Sequence, residues 1–313
     1  MTSWRILLTD GLDENGQALL RQAATVDDQC GVSPGKLLKI VKDYDALIVQ
    51  NRTRLTAAVF EAAQRLEVVG GASVSIDNID LPAAHQHGVT VVNAPTATSL
   101  AVAELALAFI LALARQIPAA DTSMKTGLWT QEALLGSEVN GRTLGILGMG
   151  NIGSAVAVRA AALGMHPVGY DPFLNGEAIR ERGAEPLELA NLLPISDFIS
   201  LHLPFTPETR GMIDGQMLAN MKRGVYLICT ARGGIINETA LLGALESGQV
   251  AGAALDVYQN EPPGLNALVS HPRVIATPHI GAQTVETRAR AARDIAEEVL
   301  AALRKAPLRW KVV

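Results

Sequence analysis

The stretch that decides the fold is Thr143-Leu144-Gly145-Ile146-Leu147-Gly148-Met149-Gly150-Asn151-Ile152-Gly153. An apolar strand pattern runs directly into a GxGxxG turn, and an alanine-rich helical pattern follows over 152–163. A second apolar strand then ends in Gly169-Tyr170-Asp171, with the acid 18 residues beyond Gly153. Glycine at 148 permits a tight turn, glycine at 150 lets backbone approach a pyrophosphate, and glycine at 153 lets helix pack on strand. Asn151 and Ile152 open the helix, whose free amides and positive dipole end face the phosphates. Glycine spacing alone would be a plain turn. With both strands, the helix and Asp171 it reads as a dinucleotide site. Asp171 can hold the ribose hydroxyls and repels a 2′-phosphate, and Pro172-Phe173-Leu174 bring no arginine to accept one. NAD is therefore expected over NADP.

Outward from this unit, short apolar runs alternate with helical patterns along nearly the whole chain. Strands are expected at 5–9, 46–49, 68–70 and 90–93, then at 143–147, 166–170, 198–201, 225–229, 251–257 and 274–277. Such alternation argues for parallel sheets covered on both faces. The two sets fit an α/β protein of two doubly wound parallel-sheet domains. One long helix over 99–125 is expected to divide them, and a last helix over 284–304 follows the second set.

The chain has 313 residues, near the length of two domains, and 49% of it is apolar and 18% charged. That balance supports a sizeable core and argues against wholesale disorder. A net charge of −5 with no basic run disfavours an electrostatically driven nucleic-acid binder. Cys30 and Cys229 have neither disulfide-scaffold nor metal spacing, which fits a reducing cytoplasm and no metal. The N-terminal apolar run is too short for a signal peptide. The apolar stretch 100–114 falls short of the roughly 20 residues of a membrane span and reads as a buried helix.

In a doubly wound sheet, ligands bind outside the carboxyl ends of the strands. Three charged groups are expected there: Arg232 after 225–229, Glu261 after 251–257 and His279 after 274–277. Each alone has a plain structural explanation, as a surface charge, a turn former or a helix cap. Together, beside a dinucleotide site, they suit hydride exchange with a 2-oxo acid. Histidine titrates near neutrality and can exchange the proton of the new hydroxyl. A nearby carboxylate favours the protonated form of such a histidine. Arginine offers a planar fork for the substrate carboxylate.

These residues, in this order, resemble the D-isomer-specific 2-hydroxyacid dehydrogenases, and among them the D-3-phosphoglycerate dehydrogenases. The resemblance is carried by residues 145–153, 196–209 (SDFISLHLPFTPET), 230–238 (TARGGIINE), 254–262 (ALDVYQNEP) and 277–281 (TPHIG), and by 77–81 and 92–115. It implies an NAD-dependent oxidoreductase acting at C2 of a D-2-hydroxy acid, with Arg232, Glu261 and His279 as the catalytic trio. It implies cofactor contacts by Gly148, Gly150, Asn151, Ile152, Gly153, Asp171, His202, Pro204, Thr230 and Asp256, the last facing the nicotinamide amide. The implied architecture is a flavodoxin-like substrate domain of residues 1–98 and 284–313, and a Rossmann nucleotide domain of 99–283. A homodimer formed through the nucleotide domain is also implied. Nucleotide-sensing corepressors share the fold, and the intact trio favours an enzyme over them; an enzyme of the same fold acting on another substrate, such as formate, is a second alternative.

Two departures bear on the substrate, which the resemblance expects at Gln50, Arg52, Ser73, Val74, Ser75 and Arg232. The carboxylate-holding loop usually carries two glycines where this chain has Ala72-Ser73-Val74-Ser75-Ile76. Gln50-Asn51 replaces the Arg-Ser usual in phosphoglycerate enzymes. Arg52 or Arg54 could substitute: Arg52 alternates with Gln50 and could move a phosphate site by one pleat, or it is a solvated surface arginine. The expectation is that uncharged-tail acids such as hydroxypyruvate or glyoxylate are used at least as well as the phosphate ester. Cys229, where asparagine is common, reads as a buried, inert thiol.

Overall fold

The strands sort into two parallel sheets in a computed structural model that describes residues 4–73 and 76–313. The chain divides into Met1–Thr98 with Ala282–Val313, and Ser99–Gly281. The return to the first unit comes at 282, two residues before the position read from the sequence.

The first unit contains β1 (Trp4–Leu8), α1 (Glu14–Arg21), β2 (Ala24–Asp28), α2 (Pro34–Ile40), β3 (Ala46–Val49), α3 (Ala57–Ala62), β4 (Val68–Gly71), α4 (Leu81–Gln86) and β5 (Thr90–Asn93), and is completed by a closing helix, Val285–Leu303. Its sheet has the order β2-β1-β3-β4-β5. Successive side chains of a strand point to opposite faces, and both faces here are covered. Ile6, Leu8, Ile48, Val68 and Val92 pack with Ile295, Val299 and Leu303 of the closing helix. Leu7, Leu47, Val49, Val69 and Val91 pack with Leu37, Val59 and Phe60 on the other side. Connections leave β1 and β3 in opposite directions along the sheet, so the topological switch point lies between their carboxyl ends. Strand β2 was not anticipated: Ala-Thr-Val-Asp-Asp lacks an apolar run, because this edge strand pairs only with β1 and stays partly exposed.

The second unit opens with α5 (Ser99–Ala114) and α6 (Ile117–Lys125). A single helix over 99–125 was expected, and the structure corrects this. Gln116 adopts a left-handed φ of 52°, and Pro118 lacks the amide needed to continue the ladder. The axis bends by 66° at this break. The Ala114 carbonyl accepts instead from the amide of Ser137, at 2.8 Å. Among the described residues no single helix is long and apolar enough to cross a membrane. Then follow β6 (Thr143–Leu147), α7 (Asn151–Ala162), β7 (His166–Tyr170), α8 (Gly176–Glu181), the two-residue β8 (Glu185–Pro186), α9 (Leu189–Leu192), β9 (Phe198–Leu201), α10 (Gly215–Asn220), β10 (Val225–Cys229), α11 (Glu238–Glu246), β11 (Val250–Leu255) and β12 (Val274–Ala276). The order is β12-β11-β10-β9-β6-β7-β8, with every pairing parallel. Its switch point lies at β6 and β9, at the mouth of the glycine turn. Ala106, Phe109, Ile110 and Leu113 of α5 pack with Leu144, Ile146 and Val156 on one face of the sheet.

The packing of α1 on the closing helix depends on Gly16, where a Cβ would come within 2.4 Å of the Ala292 carbonyl oxygen. Gly16→Ala is expected to destabilise the protein by about 1–3 kcal/mol, the usual cost of forcing atoms into a filled core. Gly35 has nothing within 4 Å of such a Cβ, and its alanine variant should cost nothing. Denaturant midpoints of the two variants check this; equal midpoints would show that the close approach is not a constraint.

Candidate active site

The glycine turn joins β6 to α7 with Gly148 at φ 92°. A Cβ on Gly148 would lie 2.5 Å from the His202 carbonyl oxygen, and one on Gly153 would lie 2.0 Å from the Gly148 carbonyl oxygen. Around Gly150 there is open space out to 4 Å. The turn is thus closed on the protein side and open where a pyrophosphate would approach. No side chain caps α7, so the first-turn amides of Asn151, Ile152 and Gly153 remain available to an anion. Asp171, at the end of β7, accepts from the Met149 amide at 2.9 Å and the Phe173 amide at 3.0 Å. It therefore shapes the glycine turn as well as standing where a ribose would lie. Arg182 donates to the Met149 carbonyl at 2.5 Å. Arg182 comes from the end of α8, outside 172–174, and nothing in its spacing signals this contact.

Two buried polar atoms near these strand ends have no partner among the described residues: Nδ1 of His202 and Oγ1 of Thr230. Buried polar groups are normally satisfied, so these orphans fit a polar ligand such as a dinucleotide. His202 keeps a 2.9 Å contact between its Nε2 and Ser200 Oγ. Burial lowers its pKa to about 4, so it is neutral at pH 7. Pro204 lies exposed two residues further on.

Arg232, Glu261 and His279 follow β10, β11 and β12, adjacent strands of one sheet. His279 Nδ1 lies 2.7 Å from Glu261 Oε2. The other carboxylate oxygen of Glu261 accepts from the Tyr258 amide at 3.1 Å. The turn after Arg232 lies against the same segment: a Cβ on Gly233 would be 1.7 Å from the Tyr258 carbonyl oxygen. Tyr258 Oη reaches the carbonyls of Leu255 at 3.0 Å and Thr277 at 3.1 Å. Burial pushes this phenol up to about 12, so it remains a donor. Tyr258 thus ties the segments bearing all three charged residues together, a link the sequence does not signal because an isolated tyrosine has no motif. The Arg232 guanidinium donates to the Ala231 carbonyl at 2.7 Å.

Asp256 was expected to meet the nicotinamide amide. The structure finds it 1% exposed, with both oxygens engaged by its own chain. Oδ1 accepts from Thr277 Oγ1 at 2.5 Å and the Ile280 amide at 2.8 Å, and Oδ2 from the Gly281 amide at 2.8 Å. These bonds bracket His279, which holds a left-handed φ of 53°. The side chains of His279 and Glu261 nevertheless stay 43% and 37% exposed, open to a reactant. Cys229 is buried, and burial pushes its thiol up to about 11.

The first unit has its own cavity of 420 Å³ at the carboxyl ends of its strands. Gln50, Asn51 and Ser73 line it together with Asp10, Asp28 and Cys30. Val74 and Ser75 lie outside the described residues. Gln50 donates its side-chain amide to the Gly11 carbonyl at 3.0 Å. Arg52 points elsewhere: it donates to the Thr9 carbonyl at 3.1 Å and approaches Asp10 Oδ1 at 3.4 Å. It does not line the cavity.

Residues 107–281 match the family described as D-isomer specific 2-hydroxyacid dehydrogenase, NAD binding domain. A D-3-phosphoglycerate dehydrogenase from Rattus norvegicus is 45% identical over 293 residues, covering 93% of this chain and 55% of the relative. The chain spans about half the length of the curated relatives it matches. A glyoxylate reductase from Paecilomyes thermophila aligns at TM-score 0.90 with 32% identity, covering 100% of this chain and 99% of that one. A D-lactate dehydrogenase from Aquifex aeolicus, complexed with NAD and lactic acid, aligns at TM-score 0.83 with 30% identity over 96% of each chain. With its glycine turn, its three charged strand-end residues and this matched domain, the chain belongs to the D-isomer-specific 2-hydroxyacid dehydrogenases and carries their NAD-binding domain.

Proposed function

We propose that the chain exchanges a hydride between NAD(H) and C2 of a small D-2-hydroxy acid or its 2-oxo acid, with Arg232, Glu261 and His279 as the catalytic residues. The observation that carries this reading is the 2.7 Å contact between His279 Nδ1 and Glu261 Oε2 at the strand ends of an NAD-binding domain. When bound, NAD supplies the hydride acceptor or donor. In reduction, C2 gains a hydride and its oxygen gains a proton; in oxidation both leave. Glu261 occupies Nδ1, so Nε2 of His279 is the atom that holds the exchanged proton. Glu261 fixes the ring, as the carboxylate of a catalytic triad does. Arg232 binds the substrate carboxylate with its planar fork. The amides of Asn151, Ile152 and Gly153 hold the pyrophosphate, and Asp171 holds the adenosine ribose. His202 and Thr230 offer their unpartnered polar atoms to the cofactor.

The setting belongs to the same proposal. Two free cysteines, one exposed and one buried, fit the reducing cytoplasm. Ile117, Met124, Leu128, Trp129 and Leu135 expose apolar side chains along α6 and the segment after it, which supports self-association of the second unit into a homodimer.

His279→Ala is expected to lower kcat by about 10²–10⁴-fold, the usual worth of general acid–base catalysis, while NADH binding measured by fluorescence is retained. Near-normal turnover of this variant on a 2-oxo acid would remove His279 from the proton-transfer role. NADH should be preferred over NADPH, and Asp171→Ala should narrow the ratio of their kcat/KM values by about tenfold or more, equivalent to about 1.4 kcal/mol. An unchanged ratio would show that another group selects the cofactor.

A further inference from the structure

A carbonyl that precedes a helix has no helical partner. Gly150 stands at the start of α7 with extended backbone, and its carbonyl accepts the first helical bond, from the Ser154 amide at 3.0 Å. The Met149 carbonyl lies one residue earlier, outside that ladder. Met149 is fully buried, so its peptide groups need partners within the protein. Its amide donates to Asp171 Oδ2 at 2.9 Å. Its carbonyl accepts from Arg182 Nη1 at 2.5 Å and from Ser154 Oγ at 3.2 Å. A carboxylate therefore grips one polar group of Met149 and a guanidinium the other. Hydrogen bonds to ionised groups are shorter and stronger than neutral ones.

The side chain of Met149 is fixed as well. It packs in one cluster with Ile179 of α8 and with Ala184, and a Cβ on Gly169 would fall 2.9 Å from its sulfur. Arg182 caps the carboxyl end of α8, its own amide donating to the Ile179 carbonyl at 3.1 Å. The end of α8 thus brings an apolar contact and a cation to one residue of the glycine turn. Arg180 goes elsewhere: it pairs with Glu185 at 3.1 Å, and both side chains are exposed.

The turn needs such an anchor. Gly148 and Gly150 are conformationally permissive, and Met149 between them is the residue with a side chain. No side chain caps α7, so the preceding turn sets the direction of the amides of Asn151, Ile152 and Gly153. Binding groups must be held to within about 0.5 Å of their productive geometry. A site ordered beforehand also loses less entropy when its ligand arrives.

We propose that Arg182 is a positioning residue for the cofactor: by holding the Met149 carbonyl while Asp171 holds the Met149 amide, it keeps the three α7 amides aimed at the pyrophosphate. This rests on the reading above that those amides bind the pyrophosphate, and it adds a residue that the glycine pattern does not contain. Arg182 acts through Met149 and not by contact with the reacting atoms.

The test compares the wild type with Arg182→Gln, Arg182→Lys and Arg180→Gln. NADH affinity is read by fluorescence titration, and ADP-ribose and adenosine are read by displacement of NADH. Arg182→Gln should weaken NADH and ADP-ribose by about tenfold or more, the scale of one charge-assisted hydrogen bond. Adenosine, which lacks the pyrophosphate, should bind as it does to the wild type. With hydroxypyruvate, KM for NADH should rise with the dissociation constant, while kcat at saturating NADH stays within about twofold, as expected when binding alone is lost. Arg182→Lys retains a cationic donor and should recover part of the affinity, and Arg180→Gln should leave it unchanged. Thermal midpoints without cofactor establish that the variants are folded; should Arg182→Gln not fold, Arg182→Lys carries the same comparison with a smaller loss. Unchanged affinity for NADH, an equal loss for adenosine, or an equal loss in Arg180→Gln overturns the role of Arg182 while leaving the pyrophosphate reading standing. A wild type that binds neither NADH nor ADP-ribose overturns both.

Discussion

Three hydrogen bonds to the buried carboxylate of Asp256, from Thr277 Oγ1 and the amides of Ile280 and Gly281, set the position of His279. A left-handed backbone costs a side-chain-bearing residue roughly 1–2 kcal/mol, and His279 adopts it at φ 53°. Hydrogen bonds to a charged group are among the stronger ones, worth about 1.5–3 kcal/mol each, so three of them exceed that strain. The imidazole consequently turns out of the β12 end toward Glu261 instead of continuing the strand. Tyr258 supports the arrangement from the neighbouring strand end, through its amide to Glu261 and its hydroxyl to Thr277. Backbone geometry at a distance thereby fixes the imidazole that is proposed to exchange the proton.

Both units share this architecture but line their switch points differently. In the second unit the switch point between β6 and β9 faces a glycine turn that is sterically closed behind and open in front. In the first unit the switch point between β1 and β3 is lined by polar side chains, with one arginine supplied by a helix from the far end of the chain. Parallel strands gather their carboxyl ends on one edge, so groups far apart in sequence become neighbours there. That is why Arg232, Glu261 and His279 converge, and why the closing helix can complete a cavity begun by residues 10 to 73.

Much of this was readable from residues alone, for identifiable reasons. The glycine turn, Asp171 and the central strands are local patterns whose spacing carries their geometry. Strand β2 escaped notice because a half-exposed edge strand has no apolar run. The break at Gln116 was hidden within a periodic apolar pattern, although Pro118 was the available signal. The engagement of Asp256 by its neighbours, the reach of Arg182 to Met149, and the presence of Arg288 in the cavity of the first unit all depend on contacts between distant segments. Periodicity and spacing do not encode such contacts. Arg52 illustrates the converse: the alternation with Gln50 presumes a strand, but β3 ends at Val49, so the rule does not apply at residue 52.

The proposed reaction moves a hydride to C2 of a 2-oxo acid while His279 supplies the proton. It is tested most directly by incubating the protein with 4-deuterated NADH and hydroxypyruvate, then locating the label and assigning the product's configuration. The expected product is a D-2-hydroxy acid with one deuterium on C2 and no hydrogen exchanged from solvent at that carbon. Oxidation of the cofactor without deuterium at C2, or a product of L configuration, would contradict it.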